Sequence, residues 1–398
     1  MRMEWIRGFR FSAVAAGVKK AGSDRLDLGL IVADRPAVTA GVTTTNLVFA
    51  APVAITRERL AGGICQAILA NSGNANAYTG RQGIEDAAAL CREAGMNLDI
   101  DPALIIPLST GVIGKPMPVE RMALRIPDLV KNLAPGRFMD FANAIITTDT
   151  KAKTAALDAE LSTGVIRLLG VAKGAGMIAP NMATMLAVVM IDANVEPAFL
   201  RECITQAADE TFNCIAIDND MSTNDTLIAM AGARPEAPQV GPAEADRDAF
   251  AAALTETCRG LARQIVLDGE GATKLVEIRV RGAADNKSAS KIARAIAESQ
   301  LVKTAFCGQD PNWGRIVAAA GRGGAAFDPG QLDLFIGDVP IVRRGEIAGD
   351  DWEPRAKAVM MERDFAVTLD LGRGEGKAVF LTCDLSEEYV RINADYRT

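Results

Sequence analysis

Lys173-Gly-Ala-Gly-Met-Ile-Ala-Pro180-Asn-Met-Ala183-Thr184-Met-Leu-Ala-Val-Val-Met-Ile191 carries no charged side chain after Lys173, and the next charge along the chain is Asp192. Gly174, Gly176, Pro180 and Asn181 interrupt regular structure. Thr184 then opens the apolar run Met185–Ile191. Small residues on both sides of a hydroxyl let the backbone bend tightly and expose that hydroxyl. A peptide bond attacked by its own neighbouring Thr needs this. Cleavage after Ala183 would leave Thr184 as a nucleophile with its freed α-amine as base. The competing reading is an ordinary strand Thr, because Thr is a good β-former. The uncharged run approaches the length of a membrane span, but Pro180, Asn181 and the glycines argue against a spanning helix.

The chain has no histidine. That excludes Ser-His-Asp and Cys-His triads, His proton relays and His-containing zinc sites. An α-amine, with an unperturbed pKa of roughly 7.7–8, is the remaining group that titrates near neutrality without perturbation. The absence therefore favours an amine-assisted Thr.

Composition bounds the rest. The 398 residues suit one large or two moderate domains. A hydrophobic content of 49% with 23% charged residues is that of a globular protein with a large core. Net charge is −7 and no long basic run is present, so a nucleic-acid partner is not expected. The seven cysteines are dispersed, none in a CxxC pair, and the start Met1-Arg-Met-Glu-Trp-Ile-Arg lacks an apolar signal core. Reduced thiols in a cytoplasmic protein are the expectation.

Local patterns predict strands at 26–33, followed by a turn at Asp34-Arg-Pro36, and at 67–70. A helix is predicted over 82–95, with Ile84, Ala87, Ala88 and Cys91 on one face. Further helices are expected at 196–212, through Phe250, Leu254, Cys258, Leu261 and Ile265, and at 290–302. Val276, Ile278 and Val280 alternate as a half-buried strand does, and 365–369 with 378–384 read as a closing antiparallel pair. Ala233 to Asp248 reads as a surface loop. Strands and helices mix without a strict βαβ rhythm, which predicts a layered α/β or α+β fold.

Ser109-Thr110-Gly111 follows an apolar strand, and the Thr110 hydroxyl with an adjacent Gly111 amide could serve an oxyanion. A plain strand exit is the alternative. Asn71-Ser-Gly-Asn-Ala-Asn76 either lines a polar site or satisfies its own backbone. Asp218-Asn-Asp-Met-Ser-Thr-Asn-Asp225 lacks the spacing of an EF-hand and reads as a solvated loop. Asp268-Gly-Glu270-Gly-Ala-Thr-Lys274 is not a Walker loop, leaving phosphate binding as a weak reading. Asp310-Pro-Asn-Trp313-Gly-Arg315 reads as a structural turn.

Together with Gly41-Val-Thr-Thr-Thr-Asn46, Ser109-Thr-Gly-Val-Ile-Gly114, Thr147-Thr-Asp-Thr150, Ala183-Thr184-Met-Leu, Ser222-Thr-Asn-Asp225 and the tail Ile392-Asn-Ala-Asp-Tyr-Arg-Thr398, these segments resemble one family. It is the ornithine acetyltransferases (glutamate N-acetyltransferases) of arginine biosynthesis, and the resemblance covers nearly the whole chain. It implies stacked β-sheets between helices, similar in layout to N-terminal-nucleophile hydrolases but topologically distinct. It implies self-cleavage between Ala183 and Thr184 into chains 1–183 and 184–398, usually assembled as α2β2. The implied reaction moves acetyl from N-acetylornithine to glutamate through an acetyl-Thr184, with no cofactor and no metal. Thr110 and Gly111 fall at oxyanion-hole positions; Thr147, Lys173, Thr184, Glu270, Asn393 and Thr398 fall at substrate-binding positions. Lys173 suits a carboxylate and Glu270 an ammonium group. Family members differ in accepting acetyl-CoA as a donor, and no motif here decides it. A Thr-dependent self-processing aminopeptidase or amidase of related fold, and a binding protein that never cleaves itself, remain as alternatives. The chain departs from the family pattern at Lys151-Ala152, where Phe-Pro is frequent, and at Asn219, where Gly is usual.

Overall fold

The computed structural model describes residues 5–179, 185–232 and 234–395. Among them the strands run in chain order as β1 (Phe9–Val14), β2 (Leu28–Thr43), β3 (Ile64–Asn74), β4 (Ile105–Val112), β5 (Lys153–Leu161), β6 (Gly164–Lys173) and β7 (Leu186–Ile191). They continue as β8 (Ile215–Ala216), β9 (Thr226–Ala231), β10 (Leu275–Ala283), β11 (Asp333–Ile336), β12 (Val339–Arg343), β13 (Glu346–Ile347), β14 (Asp364–Asp370) and β15 (Gly376–Cys383). Two sheets result. The first has the order β4-β3-β2-β9-β7-β6-β5, with β1 beside β2, and the second has the order β13-β12-β11-β14-β10-β15-β8. Two sheets with helices packed on them are the layered α/β arrangement that the sequence predicts.

At the centre of the first sheet, every residue of β7 and β9 is buried. Side chains on a strand alternate between faces, so each of these strands feeds two cores. Ala187, Val189 and Ile191 pack with Leu200, Leu254, Cys258 and Leu261 from helices Pro197–Glu210 and Glu244–Leu267. Leu186, Val188 and Met190 join Phe138 and Phe141 of helix Phe138–Ala144 on the other face. Each fully buried Phe stabilises the fold by on the order of 2–3 kcal/mol.

The helices start where capping chemistry is strong. The Glu196 carboxylate accepts from the amides of Ala198 and Phe199, both at 3.0 Å, and Pro197 takes the first turn. Asp285 accepts from Ser288 at 2.6 Å and opens Asn286–Ala297, whose apolar face covers β10 and β15. The single helix predicted at 290–302 is therefore two: Ser299 caps a new one, Gln300–Cys307.

Several local expectations are overturned. β2 runs straight through Asp34-Arg-Pro36, and its pairing with β3 shifts register between Val32 and Ala37. The proline lies in a bulge, where its missing N–H costs no ladder bond. β14 and β15 are not paired with each other. β10 lies between them, with Ile278 opposite Val367 in a parallel pair and opposite Phe380 in an antiparallel one. Both neighbours then feed the core that holds Val276, Ile278 and Val280. The link between them crosses the end of β10 so closely that a Cβ at Gly374 would meet the Ala283 carbonyl oxygen at 2.1 Å. On helix Gly80–Leu98, Ile84 is exposed and the buried stripe runs through Ala87, Leu90, Cys91 and Ala94. The loop expected at 233–248 gives way at Glu244 to helix Glu244–Leu267, where buried Asp246 accepts from the Ser162 amide at 2.8 Å. None of the cysteines is in a disulfide. Among the described residues no helix is long and apolar enough to cross a membrane.

Candidate active site

A cavity of about 200 Å³ opens where several strand ends and loops converge. Thr110 and Gly111 reach it from the end of β4, Lys173 from the end of β6, and Thr147 from the segment before β5. Glu270 enters from the turn after helix Glu244–Leu267, and Asn393 from the final helix, Glu387–Asp395. Residues more than 280 positions apart in the chain thus line one cavity.

The Thr110 wall is shaped by glycine. In the parallel pairing of β3 and β4, Ser72 lies opposite Thr110 and Gly73 opposite Gly111. Gly111 has φ +130, and a Cβ there would meet the Gly73 carbonyl carbon at 2.4 Å. Any other residue would force the two strand ends apart. Asn224 holds the same ends together, donating to the carbonyls of Ala75 at 2.7 Å and Ser109 at 2.8 Å.

Lys173 is buried and donates from Nζ to Thr110 Oγ1 at 3.3 Å. Burial pushes its ammonium below the ordinary lysine range; Asp149, Asp225 and Glu270 favour the charge, and Lys153 opposes it. Asp149 accepts from the amides of Gly174 at 2.6 Å and Thr147 at 2.9 Å, and its carboxylate contacts Lys153 Nζ. Burial alone would raise the Asp149 carboxyl, but Lys173, Lys153 and the hydrogen bonds outweigh it and hold it at about 2. Asp225 is fully buried, with Oδ1 accepting from the Met185 amide at 2.9 Å. Burial raises its carboxyl well above the usual carboxylate range.

The opposite wall is more open. Asn393 Nδ2 donates to Glu270 Oε2 at 2.7 Å. Gly176 leaves room for that carboxylate, since a Cβ at 176 would lie 2.5 Å from it. Asp218 accepts from the amides of Met177 at 2.6 Å and Ile178 at 2.8 Å, closing the turn that carries Gly176. Burial raises its carboxyl despite these bonds, and burial with Asp218 alongside raises the Tyr389 phenol.

The structure thus brings Thr110, Gly111, Thr147, Lys173, Glu270 and Asn393 to one cavity. Ala183, Thr184 and Thr398 lie outside the described residues. The Asn71–Asn76 amides chiefly satisfy backbone: Asn71 donates to the Asn74 carbonyl at 2.9 Å and Asn76 to the Gly83 carbonyl at 2.8 Å. The loop read as solvated at Asp218–Asp225 is instead buried from Ser222 onward, because the Asn224 amide binds the carbonyls of Ala75 and Ser109 while the Ser222 and Thr223 hydroxyls bond to Asn224 within the loop. The weak phosphate reading at 268–274 fails on its amides: Glu270 donates to Ala175, and Thr273 and Lys274 to Asp384. Asn312 caps helix Trp313–Gly321, so the turn at 310–315 is structural as read. Asn219 sits at φ +70 and donates to the Glu298 carbonyl at 2.7 Å. Asn is the residue that best replaces Gly in that conformation, so the backbone here is one that either residue can adopt. Lys153 and Tyr389 are not singled out by the sequence, and Asp268 and Asn224 enter it only as members of quoted motifs, with no role of their own. A charged Lys153 followed by an alternating strand was the available signal.

Residues 10–398 match the ArgJ family. The arginine biosynthesis bifunctional protein ArgJ of Syntrophotalea carbinolica is 47% identical over 393 residues, covering 99% of each chain. Its namesake from Geobacter sulfurreducens is 48% identical, covering 99% of this chain and all of its own. The crystal structure of the arginine biosynthesis bifunctional protein ArgJ of Bacillus halodurans is 40% identical with a TM-score of 0.51, covering 52% of this chain and 98% of its own. With a match that spans nearly its whole length and relatives alike over theirs, the chain belongs to the ArgJ family.

Proposed function

We propose that this chain transfers acetyl from N-acetylornithine to glutamate in two steps through an ester on Thr184. The Thr184 hydroxyl attacks the acetyl carbonyl while its own α-amine takes the proton. Thr110 and the Gly111 amide stabilise the oxyanion. Ornithine leaves, glutamate enters, and the ester passes to its amine. Both amino acids share one polar pocket, where Thr147 and Lys173 receive a carboxylate, Glu270 an ammonium group, and Asn393 and Thr398 orient the ligand. The observation that carries this reading is the cavity itself. In a member of the ArgJ family, it unites the strand end bearing Thr110 and Gly111, the buried Lys173 ammonium and the Glu270 carboxylate.

Self-cleavage after Ala183 would supply the nucleophile and leave chains 1–183 and 184–398, paired as α2β2. Two observations support it. The Met185 amide is held by Asp225 and Leu186 is paired with Lys173, so the chain directly after Thr184 is fixed beside the cavity. The Bacillus halodurans chain, matched over nearly all of itself, has only about half this chain's length, as a cleavage product would. The relatives' description as bifunctional arginine-biosynthesis proteins supports acetyl-CoA as a second donor, and a cytoplasmic site of action fits a biosynthetic enzyme.

The test is a purified chain given N-acetylornithine and glutamate. It should yield N-acetylglutamate and ornithine, and denaturing gels should show two fragments in place of 42.0 kDa. Thr184→Ala should remain one chain and lose transfer. Complete cleavage of that variant at the same bond would refute the nucleophile. Acetate release that is indifferent to glutamate would favour the amidase alternative, against which family membership weighs.

A further inference from the structure

Lys153, Asp149 and Asp268 have no part in the cycle above, yet their side chains are sealed from solvent, with exposures of 0%, 0% and 4%. Lys153 Nζ donates to Asp149 and, at 2.5 Å, to Asp268. Taking ions out of water costs several kcal/mol each, and apolar side chains of similar volume would often join the same elements at no loss of stability. What distinguishes this trio is where its remaining hydrogen bonds go. Asp149 accepts from the amides of Thr147 and Gly174. Asp268 accepts from the Thr150 amide at 3.0 Å, and two residues on the Glu270 amide donates to Ala175 at 2.8 Å. One ion cluster therefore fastens the backbone at Thr147, at Thr150 and directly after Lys173, and its Asp268 stands two residues from Glu270.

The cluster also faces Lys173 electrically. Lys173 is paired with no carboxylate within 4 Å among the described residues; Thr110 Oγ1, at 3.3 Å, is its hydrogen-bond partner. A hydroxyl that accepts from an ammonium must direct its own proton elsewhere. Thr110 lines the cavity, so that proton is available to an oxyanion there. We propose that Asp149, Lys153 and Asp268 are positioning residues for acyl transfer: they hold Lys173 in place, and Lys173 turns the Thr110 hydroxyl proton towards the oxyanion. This rests on the oxyanion role given to Thr110 above. The charged groups around the Lys173 ammonium are Asp149, Asp225 and Glu270, which favour it, and Lys153, which opposes it.

The sign of the pH effect follows. Removing the Asp268 charge leaves Lys153 less compensated, and Lys173 then loses its proton at lower pH. Asp268→Asn preserves shape and the acceptor for Thr150. It should lower kcat roughly 10–100-fold, as small displacements of catalytic groups do, with a smaller rise in KM for N-acetylornithine because Lys173 also receives the substrate carboxylate. The alkaline limb of its pH–kcat profile should move to lower pH. Adding Lys153→Met removes the opposing cation and restores charge balance, so the limb should return to the wild-type position or above. The double variant also guards against a single variant that fails to fold. Wild-type kcat and an unmoved alkaline limb in the folded, self-cleaved variants would overturn the proposal, even with a lowered melting temperature. Thr110→Ala in parallel separates the two layers. Intact turnover there would sink the oxyanion reading itself, whereas a loss there with no effect at Asp268 would sink only the cluster's role.

Discussion

The two walls of the cavity are built by opposite means. On the Thr110–Lys173 side, the groups sit on ends of neighbouring or centrally packed strands, are nearly sealed from water, and are fixed by a glycine contact and a buried ion cluster. On the Glu270–Asn393 side, they sit on a turn and on the last helix, where Asn393 is exposed. A group that must meet charge only as it develops gains from a fixed, water-poor setting, because it then needs no reorganisation during the reaction. A group that admits and releases two different amino acids gains from an open one. In the function proposed above, the difference suits the first wall to turnover, with Lys173 also receiving a carboxylate, and the second to substrate recognition alone.

Substitutions can break that division. Thr110→Ala removes one donor from the fixed wall, and turnover should fall roughly 10²–10³-fold with KM little changed. An equal loss expressed only in KM would place Thr110 in binding. Glu270→Gln should act in the other direction. It removes a charge-assisted contact worth about 1.5 kcal/mol or more, so KM for N-acetylornithine should rise at least about tenfold while kcat holds better. Steady-state kinetics showing a collapse of kcat with unchanged KM would merge the two walls into one. The smallest effect is expected at Asn219→Gly, beyond both walls. Losing the bond to the Glu298 carbonyl should cost about 0.5–1 kcal/mol in urea unfolding, with transfer kinetics unaltered. A clear change in kinetics would show that the loop leading to Asp218 tunes the open wall.

Legibility from sequence followed the range of the forces involved. Helix Glu244–Leu267 was readable because Phe250, Leu254, Cys258, Leu261 and Ile265 repeat at helical spacing, and all five are buried. The alternation of Val276, Ile278 and Val280 foretold one face of β10. The partners of β10 were not foretold, since β14 and β15 look like a hairpin to any local rule. Ser222–Asp225 looked hydrophilic and is buried, because Asn224 finds its acceptors in Ala75 and Ser109, far away in the chain.

The sequence by itself bounded the broad chemistry. With no histidine, a hydroxyl nucleophile needs another base, and the breaker-rich lead into Thr184 pointed to where one could arise. It also determined a mixed α/β fold and, through resemblance, the residues now lining the cavity. Only the tertiary structure decided what surrounds them. A lysine's burial, the carboxylates that oppose its desolvation, and the glycine contact that brings two strand ends together depend on groups distant in sequence. Local pattern carries propensity; the electrostatic environment exists only after the chain has closed around it.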